Sequence, residues 1–334
     1  FDFIKHTAEK CDFDEEITHL GGKIYTISRY NGKNHFDYIR QWKTFFTEHA
    51  EHGIIHGHMR STASIYLSIA KQFGLVTIAH SHSTASRGNF VEKCIKDFMQ
   101  FPIRYKADYL LACSNNAGEW LFGKRALKRD NYKFVKNGID IKKYSFNEVK
   151  RDEVRRKLNM DNKFVVGHVG SFTYPKNHNF LIEVFNYITK TDRDAVLLLL
   201  GDGVLRGTIT KQLEYLGITE RVVLAGNVSN ANDYLQAMDV FAFPSIFEGL
   251  GISLVEAQAS GLPCIVSNNV PSEALIADEI RVLKLDIELW AKNILSFKNH
   301  KRVRISPSSF VNAGYDIRQV SREIVDFYFE ALGG

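Results

Sequence analysis

Long apolar runs are missing from this chain: no stretch of 18 consecutive apolar residues occurs, so a membrane-spanning helix is not expected anywhere along it. No secretory leader is visible at Phe1. Cysteine is scarce. The four present, Cys11, Cys94, Cys113 and Cys264, are far apart and lack the paired spacing of zinc sites; two lie in apolar, strand-like runs. They read as reduced core thiols of a cytoplasmic protein. The basic residues come without a nucleic-acid recognition motif, so no nucleic-acid partner is expected.

What is present suits a soluble globular protein. With 334 residues, 45% of them apolar and 24% charged, the chain exceeds the size at which one core commonly splits into two, and two domains are expected. Charge is divided unevenly. Residues 1–143 hold 22 Lys and Arg against 15 Asp and Glu, and the remainder 21 against 23. The excess lies beside aromatics in FVEKCIKDFMQFPIRYK and WLFGKRALKR. That mixture suits an anionic membrane surface, the alternative being a merely solvated basic face.

The stretch Phe241–Glu273, FAFPSIFEGLGISLVEAQASGLPCIVSNNVPSE, is the most informative. An apolar aromatic strand, 240–244, leads into a loop holding Glu248, Gly249 and Gly251. A helix follows from Ser253 to about Ala259, ended by Gly261-Leu262-Pro263, and then a second strand, 264–267. In doubly wound α/β units ligands lie beyond the carboxyl ends of the strands, where this loop stands. Glu248 and Glu256 can each accept hydrogen bonds from the paired hydroxyls of a ribose or hexose. The amides of Gly249, Leu250 and Gly251 favour an oxygen-rich ligand. Ser253-x-x-Glu256 is equally a capping box, in which Glu256 bonds its own helix backbone.

These residues resemble the signature of retaining glycosyltransferases of family 4, with two acids separated by seven residues, a small-residue helix and a G-L-P-C-I-V strand. The resemblance covers nearly the whole chain and is nearest to the branch that assembles bacterial capsule and exopolysaccharide. It implies the α/β GT-B fold, two Rossmann-like domains with parallel sheets facing across a cleft. It also implies that Glu256 binds the ribose of a nucleotide sugar and Glu248 the donor sugar. Asn227 and Val228, after Gly226, would approach the base. In the phosphate loop after Val169-Gly170 the family usually has an arginine, then a lysine five residues on. Lys176 fills the lysine position; Ser171 stands where the arginine would be.

The first half reads as alternating strands and helices. A helix is expected over His35–Glu51, with Phe36, Ile39, Trp42 and Phe45-Phe46 on its apolar face. Two strands end in His56-Gly57-His58 and His80-Ser81-His82, where doubly wound folds put ligands; a lone histidine is more often structural. By resemblance the histidine right after the second strand faces the donor sugar, and His80 matches it best, with His82 next. No carboxylate or cysteine accompanies the histidines, and Asp12-Phe13-Asp14 and Asp192-Arg193-Asp194 read as solvated loop charges, so no metal is expected. Asn137-Gly138-Ile139-Asp140 is by composition a positive-φ turn and by resemblance the family's domain-end motif. Gly201-Asp202-Gly203 reads as a tight turn. The family's opening strand and glycine-rich loop are missing, so the chain is expected to begin inside its first domain.

The expected organisation is an acceptor-side domain over 1–143, a nucleotide-sugar domain over 144–315 and a helix over 316–334 that crosses back to the first. The expected activity is transfer of a sugar from a nucleoside diphosphate sugar, UDP favoured, to a lipid-linked or polysaccharide acceptor. No cofactor or metal would be needed, and transfer would be front-face without a protein nucleophile. The setting would be cytoplasmic or peripheral on the inner membrane face. The alternatives are a non-catalytic nucleotide- or glycan-binding scaffold subunit and a sugar-nucleotide epimerase. No close carboxylate pair suggests a glycosidase.

Overall fold

The computed structural model describes residues 1–84, 86, 89–302 and 304–333. Of the four cysteines expected in the core, Cys113 and Cys264 are buried, whereas Cys11 and Cys94 are exposed. The chain divides into two compact units, Phe1–Phe134 with Val325–Gly334, and Val135–Ile324.

In the first unit, β1 (Phe3–Lys5) and β2 (Ile24–Thr26) form a parallel pair. Strands β3 (Ile54–Gly57), β4 (Val76–Ser81), β5 (Tyr109–Ala112) and β6 (Tyr132–Phe134) form a parallel sheet in that order. Helix His35–Glu48 buries Tyr38, Trp42 and Phe46, spaced four apart on one stripe, and Trp42 stacks on Tyr66 of helix Ala63–Gln72 at 4.9 Å. Phe36, expected on this face, is 86% exposed. It stands two residues from Tyr38, about 200° around the helix.

The second unit carries β7 (Phe164–Val169), β8 (Ala195–Leu200), β9 (Val222–Gly226), β10 (Val240–Phe243), β11 (Cys264–Ser267) and β12 (Ile280–Leu283). They form one parallel sheet in the order β12-β11-β10-β7-β8-β9. Sequences such as AVLLLL and VFAF are apolar without alternation because both faces of a parallel sheet are covered. The order is the doubly wound one, with its topological switch between β7 and β10.

Three loop readings need correction. Asn137-Gly138 is not a positive-φ turn: neither residue is among those with positive φ. A Cβ on Gly138 would lie 2.7 Å from Ile317 Cα, so the glycine permits a close backbone approach. That approach is a bridge in which the Ile139 amide donates to Tyr315 O at 2.8 Å and the Ile317 amide to Ile139 O at 3.0 Å. Asp192 is not a solvated charge. It is 5% exposed and forms an ion pair with Lys298, Oδ2 to Nζ at 2.6 Å. Asp14 opens a helix, Asp14–His19, and pairs with Lys5 at 2.5 Å.

Helix Ile317–Ala331 belongs to the second unit up to Ile324 and to the first from Val325 onward. In the first unit its Phe327 packs edge-on against Tyr109, with ring centroids 5.0 Å apart.

Candidate active site

The carboxyl ends of β7 and β10, on either side of the switch point, carry the two loops that hold Ser171, Lys176, Glu248 and the glycines after it. The loops are fastened to each other. The Ile246 amide donates to Pro175 O at 2.8 Å, Asn177 Nδ2 to Pro244 O at 3.2 Å, and Ser253 Oγ to Val169 O at 3.0 Å. Glycine is required where the next loop leans in. Gly201 has φ +131°, and a Cβ there would fall 2.1 Å from Gly170 O. The tight-turn reading of Gly201 is therefore replaced by a close backbone approach. A Cβ on Gly170 would meet Lys176 Cδ at 3.2 Å and His168 Nε2 at 2.9 Å, so the lysine stem lies directly over the glycine.

Lys176 and Glu248 come together as an ion pair, Nζ to Oε2 at 2.6 Å, with side chains only 17% and 13% exposed. Ser245 Oγ donates to the same Oε2 at 3.2 Å, and the lysine ammonium sits 4.7 Å from the Phe243 ring centroid. An ammonium held by one carboxylate oxygen and an aromatic face is fixed in position before any anion arrives. Ser171 is exposed, and its hydroxyl pairs only locally, with Thr173 Oγ1 at 3.2 Å.

Glu256 is not a capping residue. Helix Ile252–Ala259 starts from Gly251, at φ +84°, with no side-chain cap. Ser253 turns to Val169 instead, and Glu256 Oε1 accepts from Tyr144 OH at 2.7 Å. Burial pushes the Glu256 carboxyl above the ordinary carboxylate range, the Tyr144 bond and then Lys143 opposing it. Leu250 is buried at the start of that helix. Asn227 and Val228 follow β9, at the same sheet end but two strands from β7.

In the first unit four imidazoles stack at the ends of β3 and β4. Ring centroids are 5.1 Å apart for His56 and His80, 4.0 Å for His80 and His82, and 4.3 Å for His56 and His58. His80 lies within β4, which runs on to Ser81, and not after it. Ring nitrogens of His56, His58 and His80 lie within 4.8 Å of one another, a convergence not expected from the sequence. Two hydrogen bonds tie the stack, His56 Nε2 to His80 Nδ1 at 3.0 Å and His58 Nδ1 to His82 Nε2 at 2.9 Å. His56 is held neutral, its pKa pushed down to about 3 by burial and then by His58 and His82.

Of the two basic aromatic segments, one presents most of its aromatic side chains outward, though its Ile103 is a core residue. Phe90, Phe98, Phe101 and Tyr105 are exposed, Phe98 by 82%. In the other, Leu121 and Phe122 are core residues and Arg60 lies 4.8 Å over the Trp120 ring, so its exposed-looking aromatics are covered. No helix among the described residues is long and apolar enough to cross a membrane.

Sequence reading missed His168, Tyr144 and Tyr328. His168, in β7, is fully buried; its Nδ1 donates to Ala242 O at 2.8 Å, and its Nε2, beneath Gly170, has no hydrogen-bond partner among the described residues. A histidine in an otherwise apolar strand, two residues ahead of the loop that holds Ser171 and Lys176, was its signal. The tyrosines gave none, because each meets its partner across 112 and 272 residues of chain.

Residues 150–312 match the family described as Glycosyl transferases group 1. The putative glycosyltransferase EpsF of Bacillus subtilis is 29% identical over 98% of this chain and 88% of its own. The UDP-Gal:alpha-D-GlcNAc-diphosphoundecaprenol alpha-1,3-galactosyltransferase of Escherichia coli is 26% identical over 84% of this chain and 76% of its own. Among solved structures, Anabaena Alr3699/HepE in complex with UDP and glucose superposes with a TM-score of 0.79 at 16% identity, covering 98% of both chains. The chain has the GT-B fold, its residues 150–312 match the glycosyl transferases group 1 model, and over nearly its whole length it is similar to bacterial glycosyltransferases, the capsular polysaccharide biosynthesis glycosyltransferase CapH of Staphylococcus aureus among them.

Proposed function

We propose that the protein is a retaining glycosyltransferase of family 4 that moves a sugar from a UDP-sugar to a lipid-linked or polysaccharide acceptor. The carrying observation is the Lys176–Glu248 pair at the switch point between β7 and β10, where doubly wound folds receive phosphorylated ligands. Lys176 and the amides of the loop after Glu248 stabilise the pyrophosphate as it leaves. Glu248 and His80 orient the donor sugar, Glu256 holds the ribose, and Asn227 and Val228 meet the base. Transfer is front-face, with no protein nucleophile. The E. coli relative is by name an enzyme that uses UDP-Gal on a diphosphoundecaprenol-linked sugar, which supports this donor and acceptor class.

Incubation with UDP-sugars and an undecaprenyl-diphosphate-linked acceptor should release UDP. Binding of UDP without turnover of any donor would favour the scaffold alternative, which Ser171 at the usual arginine position motivates. Turnover is expected to survive EDTA, because a fixed ammonium and a helix start take the place of a divalent ion at the phosphates. Loss of activity in EDTA that Mg²⁺ or Mn²⁺ restores would overturn that part of the reading.

The protein is proposed to work in the cytoplasm, peripheral on the inner membrane face through the segment Phe90–Lys106. Its exposed Phe90, Phe98, Phe101 and Tyr105 alternate with Lys93, Lys96, Arg104 and Lys106. Co-sedimentation with anionic vesicles should exceed that with neutral ones and fade as salt shortens the screening length, about 8 Å at physiological ionic strength. Equal, salt-insensitive binding to both would remove the electrostatic part.

A further inference from the structure

His56 sits between two partners in the first unit. Its Nδ1 is 2.5 Å from Tyr328 OH and its Nε2 is 3.0 Å from His80 Nδ1. His80 is 4% exposed, and its remaining nitrogen, Nε2, is buried with no hydrogen-bond partner among the described residues. The chain of contacts therefore runs from the C-terminal helix through β3 to β4 and stops at an unanswered atom.

Its direction follows from the chemistry of the first link. A phenol is a much stronger hydrogen-bond donor to an imidazole than an imidazole N–H is to a phenol, so Tyr328 donates to His56 Nδ1. Burial pushes the Tyr328 hydroxyl up to about 12, which keeps its proton in place. His56, neutral and with Nδ1 already accepting, carries its proton on Nε2 and donates it to His80 Nδ1. His80 in turn must carry its own proton on Nε2, because the bond made by one ring nitrogen sets the state of the other.

We infer that Tyr328 and His56 are positioning residues that hold His80 as an Nε2–H donor aimed at an oxygen of the bound ligand. An N–H buried without an acceptor is costly, about 1–3 kcal/mol, and a ligand oxygen answers it. The ligand is the donor sugar of the function proposed above, and this inference rests on that reading. Only a hydroxyl or other acceptor oxygen satisfies the atom; a cation does not.

The test reads the proton directly. Long-range proton–nitrogen spectra of the ¹⁵N-labelled full chain, assigned with His80→Gln, should show His80 protonated at Nε2 and bare at Nδ1. Tyr328→Phe and His56→Leu should leave the His80 ring exchanging between tautomers and lower kcat by about tenfold, the size of one ordinary hydrogen bond. His56→Gln should restore both, since its amide can accept from Tyr328 and donate to His80; its recovery separates the relay from a packing effect. A His80 proton on Nδ1 in the wild-type chain would overturn the inference. So would an EDTA-removable zinc ion bound to these rings. Exchanging tautomers with unchanged turnover would leave the relay standing and remove His80 from the donor site. The spectra answer even if no UDP-sugar is turned over.

Discussion

Lys176→Ala is expected to lower kcat by about one to two orders of magnitude, the loss of one charge-assisted bond of about 1.5–3 kcal/mol in the transition state. Negative charge grows on the β-phosphate as the glycosidic bond breaks, so a fixed ammonium acts more on the transition state than on the bound donor. Here the ammonium is fixed. Its stem lies over Gly170, its head over the Phe243 ring, and Glu248 Oε2 holds it at 2.6 Å. The same pair means that an arriving pyrophosphate competes with Glu248 for Lys176 and leaves the carboxylate for sugar hydroxyls. UDP affinity should therefore weaken in Lys176→Ala while UMP affinity barely changes, and kcat should fall furthest. Ser171→Arg should tighten UDP binding, because the position is exposed beside the loop. Steady-state kinetics with calorimetry decide it; unchanged turnover in Lys176→Ala would remove this loop from the phosphate site.

The second large effect belongs to Glu256. Glu256→Ala is expected to weaken UDP binding by about ten- to hundredfold, again one charged hydrogen bond of about 1.5–3 kcal/mol. Glu256 Oε1 is taken by Tyr144, and Oε2 has no hydrogen bond to the described residues, so a ribose finds one oxygen available and the other braced. The pH dependence has a definite sign. With its pKa raised by burial, Glu256 becomes protonated, as pH falls, before an ordinary carboxylate would. UDP affinity should therefore weaken in mildly acidic solution, above the ordinary Glu range, and Glu256→Gln should flatten that profile. If Glu256→Ala lowers the melting temperature and leaves UDP affinity unchanged, the residue serves the fold alone.

The elements that carry the candidate site were legible in the sequence, for a physical reason. Strand, loop and helix are adjacent in the chain, so Glu248, Gly249, Leu250, Gly251 and Glu256 could be laid out by spacing alone, and the apolar runs of β7, β8, β10 and β11 announced a buried parallel sheet. Two kinds of feature were not legible. Polar partnerships made at long range, such as Tyr144 with Glu256 and Tyr328 with His56, leave no local pattern. Charges neutralised by a distant residue also mislead: Asp192 looks like a loop charge until Lys298 is seen against it. β12 and the helices Ile287–Leu295 and Pro307–Asn312 went unread as well, although Trp290, Ala291 and Ile294 recur at helical spacing and are buried on one face. The capping box shows the opposite hazard, a local pattern that is complete and yet unused, since Ser253 and Glu256 are both engaged by other parts of the second unit.

The division of helix Ile317–Ala331 between the two units bears on recombination between relatives. A chimera of two relatives cut once would be divided where the first unit gives way to the second. A single crossover near Val135 would deliver Tyr328 from one parent and His56 from the other, with Phe327 against a foreign Tyr109. Two crossovers, the second near Val325, would keep each unit's residues with their own parent. The last ten residues should accordingly be inherited with the first 134, not with the residues that precede them.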